Sequence, residues 1–205
     1  MPKPIPSSEY LGDAFSLAKS LLGATLITNI GGKVCGGKIV ELEVYIGADD
    51  RACHAYPNKK TPRNAVMFGP GGRAYVYFVY GMHHMFNIVV GDTGTANAIL
   101  IRAIEPTIGI DVMMPRRRVA PPQRNSKIIR NLCNGPAKLT MALGITCKHN
   151  GYDLTRGDKI WIEPRTGAAP RIVAGKRIGV DYAGPDAAHP WRFVIADSQF
   201  ISKKI

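Results

Sequence analysis

The sequence predicts an α+β fold, a single domain with a mostly antiparallel, curved β-sheet and a few flanking helices. Three observations carry this reading. Eight segments have strand character and only two have clear helical character. Glycine turns, not long connections, join several of the strand segments. The length of 205 residues suits one domain, and no linker, repeat or low-complexity tract divides it.

The elements follow in order. Asp13 is placed to cap a first helix, in which Ala14, Leu17, Ala18, Leu21 and Leu22 form an apolar stripe and Gly23 supplies the stop. Strands are predicted over residues 24–30, 38–46, 73–80, 85–90, 98–105, 159–163, 176–180 and 192–195. Gly31-Gly32 turns the first into the second, and Gly81 lies in the turn after Tyr80. A second helix is predicted from Pro136 to Gly144, since proline suits a first helical turn. The stretch 115–131 holds Arg116, Arg117, Arg118, Arg124, Lys127 and Arg130 among prolines and reads as a basic surface loop.

Composition narrows the function. With 27 Lys+Arg against 15 Asp+Glu, the formal charge is +12, which favours a polyanionic partner. A hydrophobic content of 45% argues against intrinsic disorder. The longest nearly apolar run, residues 74–82, is half the ~18 residues a spanning helix needs. Cys35, Cys53, Cys133 and Cys147 form no C-x-x-C pair and no zinc-finger spacing, and the opening MPKPIPSSEY has no apolar h-region. These features lead us to expect reduced thiols in a cytoplasmic protein with no metal and no cofactor, and a monomer by default.

Two strands carry the candidate chemistry. In KIVELEVYI (38–46), a period of two puts Val40, Leu42, Val44 and Ile46 on one face, and Ile39, Glu41, Glu43 and Tyr45 on the other. Carboxylates on a face meant for a polyanion imply either a chemical task or simple pairing with nearby lysines. In RAYVYFVYGMHHMFN (73–87), Tyr75 and Tyr77 share a face and Tyr80 sits at a hairpin tip. These tyrosines fit half-buried strand packing and fit stacking on nucleobases equally well. Tyr75 reads as packing alone. His54, in a loop with Lys59, Lys60 and Arg63, is either structural or part of a site whose cations hold phosphate. Arg102, flanked by Leu100, Ile101, Ala103 and Ile104, is a charge amid an apolar strand and needs a partner such as Glu43.

Taken together, LLGATL, the E-x-E-x-Y of Glu41 to Tyr45, His54 nine residues on, TPRNAVMF, YVYFVYGMHHMFN, LIRAIEP and NGPAKL resemble the alkyladenine (3-methyladenine, N-methylpurine) DNA glycosylase family over about residues 11–200. The resemblance implies a base-excision-repair enzyme whose partner is double-stranded DNA containing damaged purines. It implies Glu43 as the general base and Arg102 as the residue positioning it. Tyr45, His54 and Tyr77 would wall a pocket for a flipped base, with Asn87 disfavouring normal guanine and Tyr80 filling the gap in the duplex. Arg63, Lys59 and Lys138 would contact phosphates. His83, His84 and Tyr56 depart from the family pattern. Absence of a lysine beside Glu43 leads us to expect a monofunctional glycosylase without lyase activity. A non-catalytic nucleic-acid-binding module fits charge and tyrosines as well, but leaves the ordered carboxylate, tyrosine and histidine without a task. A phosphoryl-transfer enzyme is disfavoured, because the chain has no Walker-type loop.

Overall fold

The computed structural model describes residues 2–119 and 125–205. Among them are eight strands: β1 (Thr25–Ile30), β2 (Lys33–Tyr45), β3 (Ala74–Val79), β4 (His83–Val90), β5 (Asn97–Ile108), β6 (Ile160–Glu163), β7 (Ile172–Gly175) and β8 (Arg192–Ile195). They form one sheet in the order β3-β4-β5-β2-β1-β6, with β8 against the second half of β2 and β7 against β8. Every pairing is antiparallel. Four α-helices accompany the sheet: α1 (Ala14–Leu21), α2 (Ile110–Arg116), α3 (Ser126–Leu132) and α4 (Pro136–Leu143). The predicted α+β architecture with a mostly antiparallel sheet is what the chain adopts.

Local chemistry explains the boundaries that matter. Asp13 caps α1 by accepting the Ser16 N–H at 2.7 Å, and Ala14, Leu17, Ala18 and Leu21 turn inward. Gly31 and Gly32 both have positive φ and close the two-residue β1–β2 hairpin. Pro136 opens α4 and Gly144, at φ 75°, ends it.

β2 is longer than the sequence led us to expect, because Gly36 and Gly37 continue the strand instead of breaking it. A Cβ at Gly37 would lie 2.1 Å from the Glu105 carbonyl oxygen, so only glycine lets β5 approach there.

The sheet has two faces with different roles. One packs against α1 to α4 around Leu26, Ile39, Leu42, Val44, Phe86, Ile88, Ile99, Ile101 and Ile104. The other carries Tyr45, Tyr75, Tyr77 and Ala98 beneath the loop that holds Cys53, Ala55 and Met67. Strict alternation along β2 fails at one point. Ile39 belongs to the core with Leu42, because Val40 is an extra residue in the pairing of Ile39 with Ile104 and Glu41 with Ala103. The helix-facing row is therefore Ile39, Leu42 and Val44, not Val40, Leu42 and Val44.

Two further expectations are corrected. The stretch 115–131 is not simply a basic loop. It contains the end of α2 and most of α3, with Arg124 outside the described residues. Pro115 hid the first helix, whose Met113 and Met114 are buried, and Asn125 caps the second by accepting the Ile128 N–H. Two of its arginines are partly buried and hold carbonyls of other elements: Arg116 donates to the Ala142 and Ile30 carbonyls, and Arg117 to that of Leu132. The strand expected at 176–180 is instead Ile172–Gly175; past Gly175 the chain leaves the sheet, and Arg177 and Ile178 turn toward the second face.

Because Phe86 is fully buried where the helices meet the sheet, Phe86→Ala should lower stability by about 3–5 kcal/mol, as measured by chemical denaturation. A loss below about 1 kcal/mol would contradict this packing.

Candidate functional site

The antiparallel register lines up one row across the second face. Tyr75 on β3 pairs with Asn87 on β4, Asn87 with Leu100 on β5, Leu100 with Glu43 on β2, and Glu43 with Arg192 on β8. Cross-strand partners point to the same side of a sheet, so an aromatic, an amide, a carboxylate and a guanidinium share one surface. Above this row lies a cavity of about 550 Å³, of a size that takes a small organic ligand. Tyr45, His54, Tyr77, Asn87, Leu100 and Arg102 line it, with Tyr80 and Tyr182 also on its walls.

Arg102 owes its position to a second irregularity. Glu41 pairs with Ala103 and Leu42 with Ile101, so Arg102 is a bulged residue on β5. Its Nε donates to Glu41 Oε1 at 3.0 Å and its Nη1 to Glu43 Oε2 at 3.1 Å. Glu43 also accepts from Tyr45 Oη at 2.8 Å and, through Oε1, from the Ile178 N–H at 2.8 Å. Neither carboxylate is exposed, and Glu43 lies just behind the cavity wall under Tyr45, Arg102 and Ile178. Burial disfavours the Arg102 cation, but Glu43 and Glu41 more than offset it and raise the guanidinium pKa. Burial and the neighbouring Glu43 carboxylate hold the Tyr45 phenol well above its usual range.

The aromatic walls brace one another. The His54 ring meets Tyr77 edge-on at 4.6 Å, and its Nδ1 lies 2.8 Å from Tyr75 Oη. Tyr75 is buried and serves as packing and as the histidine's partner. Tyr77 is tilted on Tyr75 at 5.1 Å, while the Arg63 guanidinium sits 5.2 Å from its centroid. Burial pushes the Tyr77 phenol up to about 12. Desolvation, reinforced by Arg63, lowers the His54 pKa to about 4. Asn87 is buried and spends its N–H on the Tyr75 carbonyl at 3.1 Å.

At the cavity mouth, Tyr80 is 88% exposed. Its turn is closed by the Met82 N–H to the Val79 carbonyl at 3.2 Å, with both central residues left-handed: Tyr80 at φ 51° and Gly81 at φ 65°. A tyrosine in that conformation is strained and projects from the sheet.

The structure brings together Glu43, Arg102, Tyr45, His54, Tyr77, Asn87 and Tyr80, with Arg63 at the wall. It leaves Lys59 and Lys138 off the cavity lining: Lys59 is exposed, and Lys138 is held by the side-chain oxygens of Asn131 and Asn134 at 2.6 and 3.0 Å. Among the described residues no group of three or more His, Cys, Asp or Glu side chains is placed to hold a metal, and no helix is long and apolar enough to cross a membrane.

Sequence reasoning missed Arg177, Asp50 and Tyr182. Arg177 is buried against Asp50, with Nη2 to Oδ1 at 2.8 Å, and lies between the Tyr45 and Trp191 rings at 4.8 and 4.9 Å. It therefore braces Tyr45 one residue before the Ile178 amide that reaches Glu43. No local signal could have paired residues 127 positions apart. Tyr182, 70% exposed, donates to the Ala52 carbonyl at 3.2 Å.

With its pKa lowered, the folded His54 should stay neutral down to about pH 4, whereas an unfolded histidine takes up its proton near 6.5. The unfolded chain then binds more protons in this window, so stability falls as the pH drops from about 6.5 toward 4. An NMR titration of the imidazole checks this; a folded-state midpoint above 6 would contradict the environment described.

A family model described as methylpurine-DNA glycosylase matches residues 8–199. A relative from Alkaliphilus oremlandii is 47% identical over 196 residues, covering 95% of this chain and 96% of its own length. One from Carboxydothermus hydrogenoformans is 46% identical over 201 residues, covering 98% and 99%, and one from Bacillus cereus is 42% identical over 204 residues, covering 97% and 98%. All three are provisionally named 3-methyladenine DNA glycosylase. A match over almost the whole length, on a fold whose aromatic cavity and buried carboxylate lie on one sheet face, leads to one conclusion: this chain belongs to the methylpurine-DNA glycosylase family.

Proposed function

We propose that this DNA glycosylase everts a damaged purine from double-stranded DNA into the cavity and hydrolyses its N-glycosidic bond with a water activated by Glu43. The observation that carries the reading is the Glu43 carboxylate directly behind an aromatic slot, 2.8 Å from the Tyr45 hydroxyl. Chemistry on a base requires unstacking it, which costs a few kcal/mol and costs least for a damaged or mispaired base. Tyr80, projecting at the mouth, offsets that loss by occupying the vacated place in the stack.

Inside the slot, Tyr45, His54 and Tyr77 hold the base. Alkylated purines such as 3-methyladenine and 7-methylguanine are cationic, and electron-rich tyrosine faces attract them over neutral bases. A neutral His54 adds no opposing charge. Asn87, fixed by its bond to the Tyr75 carbonyl, disfavours normal guanine by crowding its exocyclic amine, a penalty that 7-methylguanine shares but that its positive charge and weakened glycosidic bond offset. Hypoxanthine and ethenoadenine are further candidate substrates that lack the charge weakening the bond and so depend more on the site.

The donors around Glu43 define its part. A carboxylate offers about four acceptor sites over its two oxygens. Oε2 accepts from Tyr45 and Arg102, and Oε1 from the Ile178 N–H, which leaves a site on Oε1 for a water. Glu43 takes the water's proton as the oxygen bonds to C1′. The C1′–N bond breaks, and its electron pair leaves with the base, neutralising an alkylated purine. The carboxylate also stabilises the positive charge that builds on the sugar. Lysine is missing from the described cavity lining, so no amine stands ready to attack C1′, in keeping with a monofunctional enzyme that leaves an abasic site. Arg63, Lys59 and Lys138 grip phosphates without reading sequence.

The test is a duplex carrying one hypoxanthine, followed by alkaline cleavage, with methylated DNA as a second substrate. The wild-type chain should give a cut strand only after alkali, and Glu43→Gln should bind the lesion duplex yet release no base. Undiminished release by Glu43→Gln would remove Glu43 from the chemistry, and strand cleavage without alkali would refute the monofunctional assignment.

Tyr80→Ala should weaken binding to a lesion duplex by the worth of one stacked base, about 1–3 kcal/mol, in a fluorescence-anisotropy titration. Unchanged affinity would mean that Tyr80 does not enter the stack.

A further inference from the structure

Glu41 lies two residues from Glu43 on the same face of β2, is equally buried, and does not line the cavity. It nevertheless accepts four hydrogen bonds. Arg102 Nε and Arg192 Nη1 each reach Oε1 at 3.0 Å, Ser202 Oγ reaches Oε1 at 2.7 Å, and the Ser202 N–H reaches Oε2. Ser202 comes from the segment after β8, 161 residues away in the chain. Arg192 fastens that segment by donating to the Lys203 and Lys204 carbonyls at 2.8 and 3.3 Å. Its Nε donates to the Lys176 carbonyl at 3.0 Å, two residues before the Ile178 amide that meets Glu43.

We propose that Glu41, Arg192 and Ser202 are positioning residues for the reaction, a shell that keeps the Arg102 guanidinium on Glu43. The inference rests on the reading of Glu43 as the general base.

The physical reason is competition for one cation. Arg102 is bulged out of the β2–β5 register and spans both carboxylates, Nε to one and Nη1 to the other. Two buried carboxylates and two guanidiniums balance in charge only when Arg192 serves Glu41. A buried carboxylate without enough donors is costly, so an under-served Glu41 would draw Arg102 toward itself. Nη1 would then leave Glu43 Oε2, and the base would lose the group that orients it. Arg192 and the Ser202 hydroxyl share Oε1 with Arg102, the Ser202 amide serves Oε2, and together they satisfy Glu41 and remove that pull. A purely structural role for the shell would show as a general loss of stability and DNA affinity. A positioning role instead slows the chemical step while lesion binding stays intact.

The experiment compares Ser202→Ala, Ser202→Thr and the isosteric Glu41→Gln in the full chain. Base release is followed under single turnover on a hypoxanthine duplex. Affinity is measured separately on a duplex bearing a tetrahydrofuran abasic analogue. Ser202→Ala should slow release roughly tenfold, the scale of one lost hydrogen bond to a charged group, with analogue affinity unchanged. Ser202→Thr, which keeps the hydroxyl, should restore the rate. Glu41→Gln should slow release at least as much, again without loss of affinity, and it replaces Ser202→Ala as the deciding variant if the latter does not fold. Wild-type rates in Ser202→Ala and Glu41→Gln, with Glu43→Gln inactive, would overturn the positioning shell and leave the base assignment standing. Rate and affinity falling together, with no rescue by threonine, would overturn it in favour of structural support. Release by Glu43→Gln would instead overturn the reading of Glu43 on which the shell depends.

Discussion

Two carboxylates, two residues apart on one strand and both buried, are the constraint around which this molecule is arranged. Their burial would be prohibitive if either stood alone, because an uncompensated charge in a protein interior costs several kcal/mol. Arg102 answers both, Arg192 answers Glu41, and the Ile178 amide with the Tyr45 hydroxyl completes Glu43. Each partner comes from a different part of the chain: β5, β8, the segment after β7, and β2 itself. The polar cluster therefore adds, on the second sheet face, a tie among strands that the apolar core already joins on the first.

That arrangement also explains why the chain departs from regular pairing where it does. Bulges at Val40 and Arg102 interrupt the β2–β5 ladder beside the carboxylates. The first lets Ile39 join the helix-facing core while Glu41 stays on the opposite face; the second leaves the guanidinium free of the ladder and able to lean across two acceptors. The same economy appears around Tyr45, where Arg177 is held by Asp50 and lies between Tyr45 and Trp191. Charged groups here brace the wall of the aromatic slot.

Much of this was legible in the residues. Asp13, the Gly31-Gly32 pair, Pro136 and Gly81 are local signals whose effect is felt within a few residues, so α1, the first hairpin, α4 and the Tyr80 turn fell where expected. The isolated Arg102 implied a carboxylate partner on energetic grounds alone. By contrast, α2 and α3 were hidden by Pro115 and by arginines that read as a solvated loop, although Arg116 and Arg117 in fact donate to backbone carbonyls of other elements. The strand assigned to 176–180 failed for a related reason: Arg177 and Ile178 are claimed by Asp50 and Glu43, and those contacts outweigh a β-prone local sequence.

Sequence alone determined the fold class, the alternation that sets Glu41, Glu43 and Tyr45 on one face, and the grouping of tyrosines beside a hairpin tip. Each follows from spacing over a few residues of backbone; the Val40 bulge moves Ile39 to the helix-facing side but leaves Glu41, Glu43 and Tyr45 together. Only the tertiary structure decided that Tyr75, Asn87, Leu100, Glu43 and Arg192 form one row, that Arg102 divides itself between two carboxylates, and that Ser202 reaches Glu41. Those are matters of register, bulges and long-range closure, set by which buried charges find donors once the strands have met, and no local stretch of sequence contains that information.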